Sequence, residues 1–248
     1  MIIASVQNGF RFGGGGYYWG FDSTYLLILL ALALSALVSA SMNATFSKYS
    51  KVRAASGMTG AQAAQRILES AGIYDVRIEQ VKGNLTDHYD PSKKVLRLSQ
   101  SVYGSTSVAA IGVAAHECGH AVQHAKNYAP LNIRTAIVPV ASFGSQLSWP
   151  LFFIGLIFSM KPLLFAGIIL FCGALLFQLV TLPVEFNASR RALVMLEDTG
   201  ILGSTEVKST SKVLRAAAMT YVAAVIGSLL QLLRLLILSG AFRGRRDD

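Results

Sequence analysis

Two histidines four residues apart, His116 and His120, bracket a glutamate at 117 in the run His116-Glu117-Cys118-Gly119-His120. On a helix this spacing puts both imidazoles on one face, about 6 Å apart along the axis, within reach of one ion. Imidazole nitrogen suits zinc, which in catalytic sites takes three protein ligands and leaves a fourth place for water. Glu117 falls about 100° around the helix from His116, beside such an ion rather than on it. From there a carboxylate can take a proton from water and return one to a leaving amine, the general-base role. Cys118 points about 200° away from His116 and is expected to pack rather than ligate. Gly119 weakens a helix interior, so it implies close approach by backbone or substrate.

The pair of histidines needs a third protein ligand. His124 continues the series but lies about 12 Å along the axis from His116, too far for one ion on a straight helix. Ala121-Val122-Gln123 offers no break that would bring it back. His124 is therefore expected to support the site, to bind substrate, or to be a plain surface histidine. Glu185, just after Pro183 and on the same side of an apolar hairpin, is the stronger candidate.

The elements that must position these groups are mostly apolar. Hydrophobic residues make up 53% of the 248-residue chain and charged residues only 14%. Soluble domains carry nearer a quarter charged residues, so a membrane protein is expected. The net charge of +9 comes with no nucleic-acid motif, and its basic residues lie in loops between apolar runs, so no nucleic-acid partner is expected. Two cysteines, Cys118 and Cys172, make no disulfide framework, and Cys172 is expected as a small buried apolar residue.

Along the chain, residues 1–23 read as a flexible Gly- and aromatic-rich segment and 24–42 as an uncleaved transmembrane helix. Residues 43–136 form a polar region. It contains an amphipathic helix from Thr59 to Gly72 with Ala63, Ala64, Ile67 and Leu68 on one face, and strands at about 75–80, 85–89 and 94–99. A long helix, capped by Ser105 or Thr106 and running to about Lys126, carries the histidines. Residues 137–183 read as a transmembrane hairpin, with Pro183 ending or kinking its second helix. A helical polar segment follows at 184–216, a last apolar run at 217–239 that crosses the membrane or lies in its interface, and a basic tail at 240–248. Most Lys and Arg residues fall in the loops that share one side, and Lys48, Lys51 and Arg53 follow the first span directly. The positive-inside rule makes that side cytoplasmic.

The stretches Ala114 to His124 and Leu182 to Ala192, with Leu85 to Pro91 and Val95 to Ser99, resemble the YugP-type neutral zinc metallopeptidases of bacteria. The resemblance runs from the first span to about residue 235. More distantly the layout is similar to the HtpX and CAAX prenyl protease group, in which a glutamate beyond a membrane hairpin completes the site. The resemblance implies His116, His120 and Glu185 as ligands of one catalytic Zn2+ and Glu117 as base. It implies a peptide or membrane-protein substrate, contact with lipid, and a role in membrane-protein quality control. A homo-oligomer or a membrane partner protein stays open. The distant group has an aspartate four residues after its glutamate; Ser189 stands there in this chain and can hydrogen-bond a ligand histidine without adding charge. By the same likeness, the strand at 94–99 is a candidate edge for an extended substrate. His88, Arg190, Arg191 and Tyr221 are candidate donors to the carbonyl oxygen under attack.

The expected fold is thus a mainly α membrane protein of about four transmembrane helices with a small cytoplasmic α+β zincin-like unit. The rival functions are a non-catalytic membrane scaffold with a structural metal, and a channel or transporter. The latter calls for ionisable groups deep in the spans, where only Arg234 qualifies.

Overall fold

A computed structural model describes residues 23–240; the expectations for the N-terminal segment and the basic tail fall on residues outside that range, save at its edges. Among the described residues, seven helices and three strands follow in the order α1 (Tyr25–Tyr49), α2 (Gly60–Ser70), β1 (Arg77–Val81), β2 (His88–Asp90), β3 (Val95–Ser99), α3 (Gln100–Tyr103), α4 (Val108–Ala125), α5 (Ala129–Ile157), α6 (Lys161–Asp198) and α7 (Ser204–Leu238). Four of them, α1, α5, α6 and α7, are long and apolar enough to cross a membrane. The protein is a mainly α membrane protein with a small α+β unit.

The long helices present apolar surface outward: Leu26, Leu37, Val140, Phe143 and Ile169 are all largely exposed. Such surface suits lipid, where backbone groups must be satisfied within each helix. Helices α5 and α6 pack as a hairpin through small residues. A Cβ added at Gly155 would stand 2.6 Å from the Leu164 nitrogen, and one at Gly167 would stand 2.8 Å from the Ser148 carbonyl oxygen. Close backbone approach of this kind replaces the hydrophobic drive that lipid cannot supply. Helix α6 does not end at Pro183 but runs through it to Asp198. About 36 Å of helix therefore separates Lys161 at the hairpin tip from Glu185, a little more than the hydrocarbon thickness of a bilayer. Cys172, expected to be buried, is exposed on this helix.

The soluble core is separate from the hairpin contacts. It joins α2, β3, α3 and α4 to the end of α6 and the start of α7, with Ile67, Leu68, Leu96, Leu98, Ile111 and Leu196 fully buried. Helix α2 opens with a capping box, Thr59 Oγ1 accepting from the Gln62 amide and Gln62 Oε1 from the Thr59 amide. Its buried face is the expected one. Helix α4 is capped by Ser107, whose Oγ accepts from the Ala110 amide at 3.2 Å, rather than by Ser105 or Thr106. Those two residues have other duties: Ser105 Oγ accepts from the Ser107 amide, and the Thr106 carbonyl takes the Ala54 amide. The chain leaving α1 is thereby tied to the start of α4.

The sheet has the order β1-β3-β2, with β1 and β3 parallel and β2 antiparallel to β3. Asp90 Oδ1 accepts the Ser92 and Lys93 amides and closes the turn between β2 and β3. The strand at 94–99 is thus the middle strand, paired from Val95 to Ser99 by β1 and from Val95 to Arg97 by β2, and is not a sheet edge; the edges belong to β1 and β2. Strand alternation identifies a strand but carries no information on which neighbours flank it.

The division between a packed core and an exposed face gives a stability prediction. Ile67→Ala, at a fully buried site, should cost about 2–5 kcal/mol, whereas Tyr74→Ala, at an exposed one, should stay within about 0.5 kcal/mol. Denaturant unfolding of the two purified proteins checks this.

Candidate metal centre

Helix α4 is buried along most of its length, which its run of small residues Val108 to Ala115 allows. It crosses α6 so closely that a Cβ added at Gly119 would stand 2.6 Å from the Ala188 carbonyl oxygen. The approach inferred at Gly119 is therefore that of a neighbouring backbone. It sets Glu185 opposite the histidines, one turn before Ala188 on α6.

His116, His120 and Glu185 form the cluster: one donor atom from each lies within 4.8 Å of the others. Glu185 Oε2 is 3.2 Å from His116 Nε2 and 3.6 Å from His120 Nε2. Bonds to zinc of about 2.0–2.1 Å in a tetrahedral arrangement place ligand atoms roughly 3.3 Å apart, so the donor types suit a zinc ion and the two imidazole–carboxylate separations lie near that spacing. Each member has a further partner. His116 Nδ1 is 3.1 Å from Ser189 Oγ, and His120 Nδ1 is 3.0 Å from Gln123 Oε1. These contacts occupy the outer ring nitrogens and leave both Nε2 atoms facing the carboxylate. Glu185 Oε1 faces Arg134 Nη1 at 3.6 Å.

Behind His120, the Gln123 side-chain amide donates to the Val184 carbonyl at 2.9 Å and to Asn187 Oδ1 at 3.0 Å. Asn187 Oδ1 also accepts from Arg191 Nε at 2.7 Å. Burial works against a charged His120 imidazole, but the Glu185 carboxylate, aided by Glu117, outweighs it and raises the pKa above the usual histidine value. Glu117 is buried beside the cluster and accepts no hydrogen bond from the described residues. Tyr221 of α7 lies against Glu185 and within electrostatic reach of Glu117.

The remaining candidates are placed elsewhere. His124 Nδ1 is 2.9 Å from the Tyr89 hydroxyl, away from the cluster, and burial together with Asp75 and Asp90 pushes the Tyr89 pKa up to about 12. His88 sits on β2, with Nδ1 3.0 Å from the Thr86 carbonyl and Nε2 3.3 Å from Arg97 Nη1. Arg190 and Arg191 line a cavity of about 540 Å³ with Lys126, Asn187 and Asp198, and Arg191 also lies over the Tyr128 ring. Cys118 packs toward α2, its Sγ 3.6 Å from the Ala64 carbonyl, and burial drives its thiol pKa well up.

Three residues at the centre had no signal in the sequence reading: Gln123, Asn187 and Arg134. Gln123 and Asn187 could have been found as polar residues on the helix faces that carry His120 and Glu185. Arg134 could have been found as a cation standing just before an apolar run.

The four apolar helices and this cluster describe a membrane protein with a candidate metal site. The family described as "Putative neutral zinc metallopeptidase" matches residues 24–240, and the chain belongs to it. The chain is also 48% identical over 222 residues to a protein of Bacillus subtilis (strain 168) described as "Putative membrane protease YugP", covering 90% of this chain and 97% of that one. No solved structure matches the chain.

The contact at Gly119 yields a test. Gly119→Ala must push α4 from the α6 backbone and move the histidines relative to Glu185. Zinc affinity should fall by at least about tenfold, the scale on which supporting-shell losses act. Titration of the purified protein against a competing chelator reads this directly.

Proposed function

We propose that this chain is a zinc endopeptidase embedded in the cell membrane, with His116, His120 and Glu185 holding one catalytic ion and Glu117 acting as general base. The observation that carries the reading is the convergence of two Nε2 atoms on one carboxylate oxygen, at 3.2 and 3.6 Å, with Glu117 buried alongside. A zinc ion bound there would supply Lewis acidity and make water a nucleophile near neutral pH. Glu117 then takes the proton of the attacking water and delivers it to the leaving nitrogen. Ser189 and Gln123 keep the ligand imidazoles in the tautomer whose Nε2 lone pair points inward. Three protein donors converge among the described residues, the number that leaves a place for water; a structural site would be closed by four.

Glu117→Gln should abolish cleavage of a fluorogenic peptide and leave zinc in place, because Glu117 stands beside the ligand set. Glu185→Ala should lower zinc affinity by at least about 10- to 100-fold, and His124→Ala should keep its zinc. A normal zinc content in Glu185→Ala with loss in His124→Ala would overturn the ligand assignment.

The site faces the cytoplasm, on the strength of Lys48, Lys51 and Arg53 following α1. Membrane-protein quality control is the role that fits, with substrates among other membrane proteins. Comparison of membrane proteomes from cells with native and Glu117→Gln protein would reveal those that accumulate. For the orientation, a thiol introduced at Ser92 in a Cys172→Ser background should react with an impermeant maleimide only after permeabilisation. Labelling in intact cells would reverse the topology.

A further inference from the structure

Arg134 lies in the second turn of α5, a helix otherwise poor in charge. Its Nη1 approaches Glu185 Oε1 at 3.6 Å, a long single contact rather than a two-pronged pair. Its Nε is buried and has no hydrogen-bond partner among the described residues. Buried polar groups are partnered in the great majority of cases, and a guanidinium carries five donors in a fixed plane. Arg134 therefore brings permanent positive charge and spare donors to the Glu185 side turned away from the imidazoles, which face Oε2. Tyr221 reaches the same carboxylate from α7.

We propose that Arg134 is a catalytic residue that binds the scissile carbonyl oxygen of a peptide substrate and stabilises the negative charge that develops on it. The inference rests on the peptidase reading. When the water oxygen bonds to the carbonyl carbon, the π pair of the C=O bond moves to its oxygen and the water proton goes to Glu117. On collapse that pair re-forms the C=O bond, the C–N bond breaks, and the proton passes from Glu117 to the leaving nitrogen. Arg134 donates hydrogen bonds throughout and surrenders no proton, since a guanidinium does not deprotonate in this range. Three other candidates for this role are placed elsewhere: His88 contacts Arg97 and the Thr86 carbonyl, and Arg191 is held by Asn187. Arg190 faces the separate cavity.

The test uses full-length protein in detergent micelles, with Arg134→Gln and Arg134→Lys beside the wild type. A fluorogenic peptide reports kcat and KM, chelator competition reports zinc affinity, and a phosphinic peptide serves as a tetrahedral anionic mimic. Arg134→Gln should lose roughly 10²–10³ in kcat, the scale for removing one such donor, with KM and zinc affinity within about threefold of wild type. Affinity for the phosphinic peptide should fall in parallel with kcat/KM, because that ligand resembles the transition state. Should Arg134→Gln fail to fold, Arg134→Lys decides. It keeps the charge but not the planar fork, and should lose about tenfold or more in kcat with zinc retained. An active wild type with an equally active Arg134→Gln overturns the assignment. So does a fall in zinc affinity that matches the loss of activity, since Arg134 would then only hold Glu185 in place. Wild-type protein that holds zinc and cleaves no peptide would instead defeat the peptidase reading itself, and the role of Arg134 with it.

Discussion

Helices α4 and α6 touch backbone to backbone where Gly119 meets Ala188, and the placement of the two histidines against Glu185 depends on that contact. The histidines belong to α4 and Glu185 to α6, so only the separation of the two helices sets the distance between imidazoles and carboxylate. A side chain at position 119 would hold the helices apart. Because α6 is continuous through Pro183, a shift at Ala188 also moves Glu185, Asn187 and Ser189 together. The same rigidity carries the other way: the hairpin of α5 and α6, locked by Gly155 and Gly167, fixes where Glu185 arrives.

The molecule thus solves two packing problems with two chemistries. The unit around α2, α4 and β3 buries large aliphatic side chains away from water, the usual drive for a soluble core. The hairpin cannot use that drive in lipid and relies on small residues and close backbone contact instead. The centre sits where the two regimes meet. Its histidines come from the hydrophobic core, and its carboxylate and its arginine come from the helices suited to the membrane.

How much of this was legible in the sequence follows from the range of each signal. Helical spacing is local, so the shared face of His116 and His120, the burial of Ala63, Ala64, Ile67 and Leu68, and the four apolar helices could be read directly. Glu185 was reachable because the hairpin returns the chain to the side it left, and the family resemblance strengthened it. The order of the strands was not legible, since pairing partners are set by tertiary contacts, and the strand at 94–99 turned out to be central. Nor was the fate of Pro183. A proline removes one backbone donor from the i to i−4 ladder, and a helix packed along its length tolerates that loss. Gln123, Asn187 and Arg134 act across helices: spacing can place the first two on the faces of His120 and Glu185, but it does not show which residue of another helix each one meets.

Charge explains why these long-range partners belong together. Glu117 and Glu185 are two carboxylates buried within one small region, an arrangement that costs several kcal/mol without compensation. Arg134 offsets part of it through Glu185, and the neighbouring His120 is drawn toward the charged form for the same reason. Glu117 is reached only through the charge of His120 and accepts no hydrogen bond from the described residues. A divalent ion held by the three clustered donors would supply the remaining positive charge and leave Glu117 free to exchange protons. A cation site is one arrangement that would reconcile the two buried carboxylates, and this ties the electrostatics of the fold to the chemistry proposed for it.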